Sequence, residues 1–126
     1  GKWDKLELMM PRLEEFAESG PYLQKNECQL KLAYIRSLKA FHNGNYSESL
    51  SQTNWILENY HMEFDWLKGF TFLIQGKCLD ILGDRRSAIK AYKQVMKMDG
   101  YYPEVEEGRA YLDTPYISDL IFIENK

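Results

Sequence analysis

Apolar residues along the chain recur at intervals of three and four, in blocks separated by Gly, Pro and Asn. That period is helical, and no block alternates apolar and polar as a half-buried strand does, so the pattern predicts an all-α protein. Leu13, Phe16 and Ala17 mark one face of a helix over Pro11–Ser19, with Pro11 in the first turn and Gly20-Pro21 as its stop. Trp3, Leu6, Met9 and Met10 point to a further turn or two upstream, broken at Pro11. A second helix is expected over Asn26–Asn43, opened by an Asn26/Gln29 capping box and stopped at Asn43-Gly44. It carries Leu30, Ala33, Tyr34, Ser37, Leu38, Ala40 and Phe41. Asn45 with Glu48 forms a second box for a helix to about Tyr60, bearing Ser49, Leu50, Thr53, Ile56 and Leu57. A long helix then runs from Asp65 to Leu82, ended by Gly83. Asp84 caps the next, which presents Ala88, Ile89, Tyr92, Val95 and Met96 and ends near Met98, before Asp99-Gly100. Pro103 opens a shorter helix to about Leu112, and Pro115 ends it. The tail, with Ile117, Leu120, Ile121 and Ile123, suits either a short capping helix or an extended arm.

Two helical hairpins thus stand in tandem, each turning at a Gly followed by an N-cap residue, Gly44-Asn45 and Gly83-Asp84. Self-similarity on this scale marks a helical repeat array. Residues 69–102 resemble a tetratricopeptide repeat, whose signature is W-x2-L-G-x2-Y, A-x3-F and a terminal P. Phe72 stands at the Trp position, Gly76 at the Gly, Leu79 at the Tyr, Ala88 at the Ala and Tyr92 at the Phe, with Val95 following. Gln75 and Gly100 depart from the expected Leu and Pro. The chemical sense of the pattern is close packing: Gly76 and Ala88 let two helices approach, and Phe72, Leu79 and Tyr92 fill the space around them. Residues 30–63 form a divergent copy, with Ala33, Ser37, Ala40, Ser49, Thr53 and Ile56 at equivalent places. The two turn glycines are 39 residues apart, five more than the family period, so a longer link is expected around Tyr60–Asp65. The resemblance implies antiparallel hairpins stacked as a short right-handed superhelix, one domain over residues 1–126. Residues 1–25 would be an N-terminal capping helix and loop, and 103–126 a C-terminal capping helix and tail, the helix doubling as the first half of a truncated third repeat.

Composition narrows the function. Sixteen basic and nineteen acidic residues give a net charge of -3, and no basic run is present, which argues against nucleic acid. The eighteen aromatic residues suffice for a core without staples. Cys28 and Cys78 make neither a disulfide framework nor a zinc pattern and read as small buried hydrophobes. His42 sits at a helix end, where an imidazole suits the dipole, and His61 falls in the interhelical link. Glu104, Glu106 and Glu107 open a helix, where carboxylates suit the positive dipole end. No nucleophile–base pair, metal-ligand spacing or phosphate-cradling loop appears, so neither enzyme activity, cofactor nor metal is expected. The most apolar window, Trp66–Leu82, is interrupted by Lys68, Lys77 and Asp80, so no membrane span is expected. With no signal peptide either, the cytoplasm is the expected compartment. The opening Gly1-Lys2 lacks an initiating Met, which suits a tag remnant on a domain excised from a longer protein.

The resemblance further implies a concave groove that receives a peptide or helical segment of another protein. Its lining would be Lys31, Tyr34, Leu38, Phe41 and His42 from the first unit, and Phe70, Leu73, Lys77, Asp80 and Ile81 from the second. Tyr34, Leu38 and Ile74 stand where the chaperone-binding members carry their carboxylate clamp, which argues against that ligand. Two states of the groove stay open: free, or filled by the N-terminal segment carrying Trp3, Leu6, Met9, Leu13 and Phe16. The alternative function is an accessory or oligomerisation domain of a larger enzyme or secretion-pathway protein, self-associating through its end helices.

Overall fold

Among the described residues five helices follow one another, with the period the sequence carries: α1 Tyr22–His42, α2 Tyr46–Glu58, α3 Trp66–Ile81, α4 Arg85–Val95 and α5 Pro103–Asp113. This computed structural model describes residues 8, 10, 11, 14, 22–61, 66–98 and 102–117, and among them there is no strand. α1 packs along α2 and α3 along α4 as antiparallel hairpins; α3 also meets α1, α2 and α5, and α4 meets α5. No helix among the described residues is long and apolar enough to cross a membrane. Pro11 and Glu14 have helical backbone; the rest of the predicted Pro11–Ser19 helix lies outside the described residues.

The two hairpin turns are built bond for bond alike. The Asn45 N–H donates to the Ala40 carbonyl at 2.8 Å, and the Asp84 N–H to the Leu79 carbonyl at 2.8 Å. In both, the intervening glycine takes positive φ, 78° at Gly44 and 92° at Gly83, the left-handed stop that L side chains resist. Asp84 caps α4 as expected, its Oδ1 accepting from the Ser87 N–H at 3.2 Å. The Asn45/Glu48 box does not form: Asn45 makes no side-chain cap, and Glu48 instead accepts from Gln52 at 3.1 Å. Nor does Asn26 cap α1, which begins four residues earlier at Tyr22. Its amide donates across the hairpin to the carbonyl of Asn59, just past the end of α2, at 3.4 Å.

The core falls into two clusters, one between the first hairpin and the start of α3, the other within the second hairpin. Leu30, Ala33, Ile56 and Leu67 form one cluster, flanked by Tyr34, Tyr60 and Trp66. Leu73, Ala88, Tyr92 and Val95 form the other, flanked by Phe72, Leu79, Met96, Tyr111 and Leu112. A Cβ on Gly76 would overlap the Tyr92 ring, reaching 2.7 Å from its Cδ1, so the hairpin closes around this tyrosine only because position 76 is bare. Buried Ser37 takes the matching place in α1. There the helices are tied by Ser49 Oγ donating to the Ser37 carbonyl at 2.8 Å. Of the link expected around Tyr60–Asp65, residues 59–61 are non-helical and 62–65 lie outside the described residues.

Candidate functional site

The face shared by α1, α3 and α5 gathers most of the aromatic and charged side chains that pack between hairpins. Asp80, in the last turn of α3, has a side chain only 1% exposed, and a buried carboxylate must be saturated with donors. Arg85 Nη1 lies 3.1 and 3.0 Å from its two oxygens, the Tyr92 hydroxyl donates at 2.6 Å and the Tyr116 backbone N–H at 2.9 Å. Arg85 Nη2 also donates to the Leu112 carbonyl at 3.0 Å, placing a cation at the negative end of α5. Burial, and then the bond to Asp80, push the Tyr92 hydroxyl far above the usual tyrosine range.

One turn before Asp80, Lys77 extends among three rings. Its Nζ lies 5.8 Å from the Phe41 centroid, 5.7 Å from Tyr111 and 5.2 Å from Tyr116, all within cation–π range. Glu107 Oε1 pairs with it at 3.3 Å. The Tyr116 ring, 4% exposed, packs edge-on against Tyr111 at 5.2 Å and tilted against Phe41 at 5.8 Å. The non-helical segment 114–117 therefore folds back over this face. It is anchored by one aromatic side chain and one backbone hydrogen bond. What such an arrangement does chemically is hold a chain segment: ammonium, carboxylate and hydroxyl are each engaged by neighbours.

The predicted groove residues divide accordingly. Phe41 and Lys77 are brought together around Tyr116, and Asp80 beside them. Tyr34 is half-buried against the first core, its hydroxyl raised above the usual range by burial and then by Glu104 and Glu107. Phe70 packs edge-on against Trp66 at 5.7 Å and Tyr102 at 5.6 Å. Leu38 is half-buried. Lys31 pairs with Glu27 on its own helix at 2.9 Å. Leu73 is turned away from any groove, 3% exposed within the second core, because the face of α3 that meets α4 includes it. His42 and Ile81 remain at the helix ends; His42 is exposed. The N-terminal residues proposed to fill the groove lie outside the described residues. Glu14, which is described, sits on another side of α1, 4.0 Å from Arg36, in a cleft of about 470 Å³ with Trp55 and Gln52.

Sequence reasoning missed Tyr111, Tyr116, Glu107 and Arg85. For Tyr111 a signal existed: Gly108 and Tyr111 repeat the G-x2-Y spacing carried by Gly76 and Leu79, and Gly108 is buried against Val95 and Met96. For Tyr116 there was none, since a single aromatic residue in an aperiodic tail carries no pattern. Burial raises the thiols of both Cys28 and Cys78 above their usual range. Among the described residues, no group of three or more His, Cys, Asp or Glu is placed to hold a metal. The chain matches no protein-family model, no curated protein and no solved structure.

Proposed function

We propose that this chain is a tetratricopeptide-like scaffold that binds an extended segment of another protein on the face between α1, α3 and α5. The observation that carries the reading is the seat of Tyr116: an aromatic anchor inserted among Phe41, Lys77 and Tyr111, with a backbone N–H held by Asp80. Peptide recognition uses the same elements, a pocketed side chain and a backbone bond that fixes register. The domain's own segment rehearses it. The repeat-like architecture is supported by the two identical Gly turns and by the exchange of Gly76 with Tyr92 for Ser37 with Thr53 at corresponding places.

At the other end of the face lie Tyr34, Phe70 and Tyr102, with Glu104 at the start of α5. Glu104 Oε2 is buried and has no hydrogen-bond partner among the described residues. An orphaned buried acceptor costs about 1–3 kcal/mol, and a donor from a bound segment removes that cost as Tyr116 does for Asp80. Specificity then follows from apolar anchors on either side of Leu38 and a donor facing Glu104.

Capture from a lysate of the source cells, read by mass spectrometry, tests this. Leu38→Glu, on a half-buried position of α1, should lose the captured protein while retaining helical circular dichroism. Tyr116→Ala, which vacates the self-occupied seat, should retain more of it. Identical capture by wild type and Leu38→Glu would sink the proposal.

A further inference from the structure

The exposed charges along the outer face of α4 are of one sign. From Arg85 to Met98 the sequence contains no acidic residue. Arg86, Lys90 and Lys93 are spaced by four and three, which puts them on one helical stripe about 10 Å long at 1.5 Å per residue, and Lys97 follows in the turn just past the end of α4. All four are exposed, as is Lys68 on α3. None of these five forms an ion pair among the described residues. Asp84 is the acidic group that faces the near end of the stripe, where Lys90 and Arg86 help hold its carboxyl below the usual range after the Ser87 bonds do so. Like charges at such spacing oppose helix formation, and the chain as a whole is acidic. Random placement of surface charge would have interleaved the signs.

Beside the stripe, the seam between α3 and α4 is open. Two shallow clefts, about 270 and 160 Å³, share Phe72 and Gln94 and so form one groove. Phe72, Leu79 and Ala91 supply an apolar floor, and Lys68, Lys90 and Lys97 stand on the rim. Among the described residues no carboxylate lines either cleft. Gln75 closes the side toward α2, its amide donating to Asn54 at 2.8 Å. A cofactor pocket takes roughly 300–1,000 Å³ of enclosed space; these clefts are sized for single side chains of a chain laid along the seam.

We propose that the α3–α4 seam is a second docking surface, one that takes an acidic protein segment carrying an apolar side chain. The apolar residue would rest on Phe72, and flanking carboxylates would meet Lys68, Lys90 and Lys97. Charge complementarity with a rim whose lysines form no ion pair among the described residues selects the acid; the apolar floor selects a polypeptide over a polyphosphate. A lipid surface fits poorly, because the large apolar side chains exposed in the described structure, Leu8, Trp55, Leu82 and Ile117, are not on this stripe. The surface is separate from the α1–α3–α5 face, so the two readings stand or fall independently.

The test is selection of displayed random dodecapeptides on the intact protein, followed by fluorescence anisotropy of the winners. Enriched peptides should carry Asp or Glu flanking Leu, Ile or Phe, and Lys90→Glu with Lys97→Glu should weaken them at least tenfold. Gln94→Ala, inside the groove, should weaken them less, and Leu38→Glu should leave them unchanged. Replacing the apolar residue of a winning peptide by Ser should also weaken it. The proposal is overturned by neutral or basic winners, by no winners, or by equal binding to the charge-reversed variant. It is equally overturned if the Ser-substituted peptide binds as well as its parent, which would reduce the effect to bulk charge. Tighter binding of duplex DNA or phosphatidylserine vesicles at the same salt would replace the protein partner with another class.

Discussion

At Asp80 and Tyr92, three donors and a buried ring decide how the molecule responds to base. The Tyr92 and Tyr34 hydroxyls both stand above the ordinary tyrosine range, burial being the first cause in each, with Asp80 adding for Tyr92 and Glu104 for Tyr34. A group whose folded pKa is raised stabilises the fold in full below its unfolded value, about 10 for tyrosine. That contribution drains as pH climbs above it, because the unfolded chain releases its proton first. In an ultraviolet titration of tyrosinate, Tyr34 and Tyr92 are therefore expected to stay neutral until helical circular dichroism is lost, while the urea midpoint falls steeply above pH about 10. Ionisation of all nine tyrosines near pH 10 with helicity intact would show that these two hydroxyls are not enclosed as described.

Between elements, packing overrules local preference, and Gly76 shows by how much. Helix propensity alone makes Gly→Ala at a helix interior favourable by about 1 kcal/mol. Yet the added Cβ at position 76 collides with the Tyr92 ring, and overpacking of this kind costs about 1–3 kcal/mol. The collision should win, so Gly76→Ala is expected to lower stability in urea denaturation. Ser37→Gly in α1, where Thr53 replaces the ring, should bring no packing gain. The same contrast explains what the sequence disclosed. Hairpins and turns were legible because Gly44, Gly83 and Asp84 act locally and the apolar period is long. The start of α1 was not, since Asn26 resembles a cap but is spent on Asn59 across the hairpin. Of the candidate groove, Phe41 and Lys77 were legible as residues of one face, whereas their occupant was not. Tyr116 reaches them through an extended segment, and Asp80 gains its partners from two separate elements, Arg85 and Tyr92 on α4 and Tyr116 in the segment that follows α5.

For the molecule as a whole, α3 is the element through which the hairpins communicate, since it packs on all four other helices. In a stack of this kind stability is shared between neighbours, and units at the ends open first. The Tyr116 segment adds a second connection, touching Phe41 on α1, Lys77 and Asp80 on α3 and Tyr111 on α5. Removing it should therefore act at a distance along the chain. Tyr116→Ala forfeits burial of an aromatic ring, a loss of about 3–5 kcal/mol, and leaves the backbone N–H bond to Asp80 without the side chain that seats it. Native-state hydrogen exchange is expected to show α3 amides exchanging slowest in the wild type. In Tyr116→Ala, protection should fall at the C-terminal end of α1 and throughout α5, with α2 changing least, since the ring's contacts with Phe41, Lys77 and Tyr111 fall on α1, α3 and α5. A uniform fall across all five helices would mean that the segment merely adds to global stability; a selective fall at α1 and α5 would identify it as the clasp between the first hairpin and the last helix.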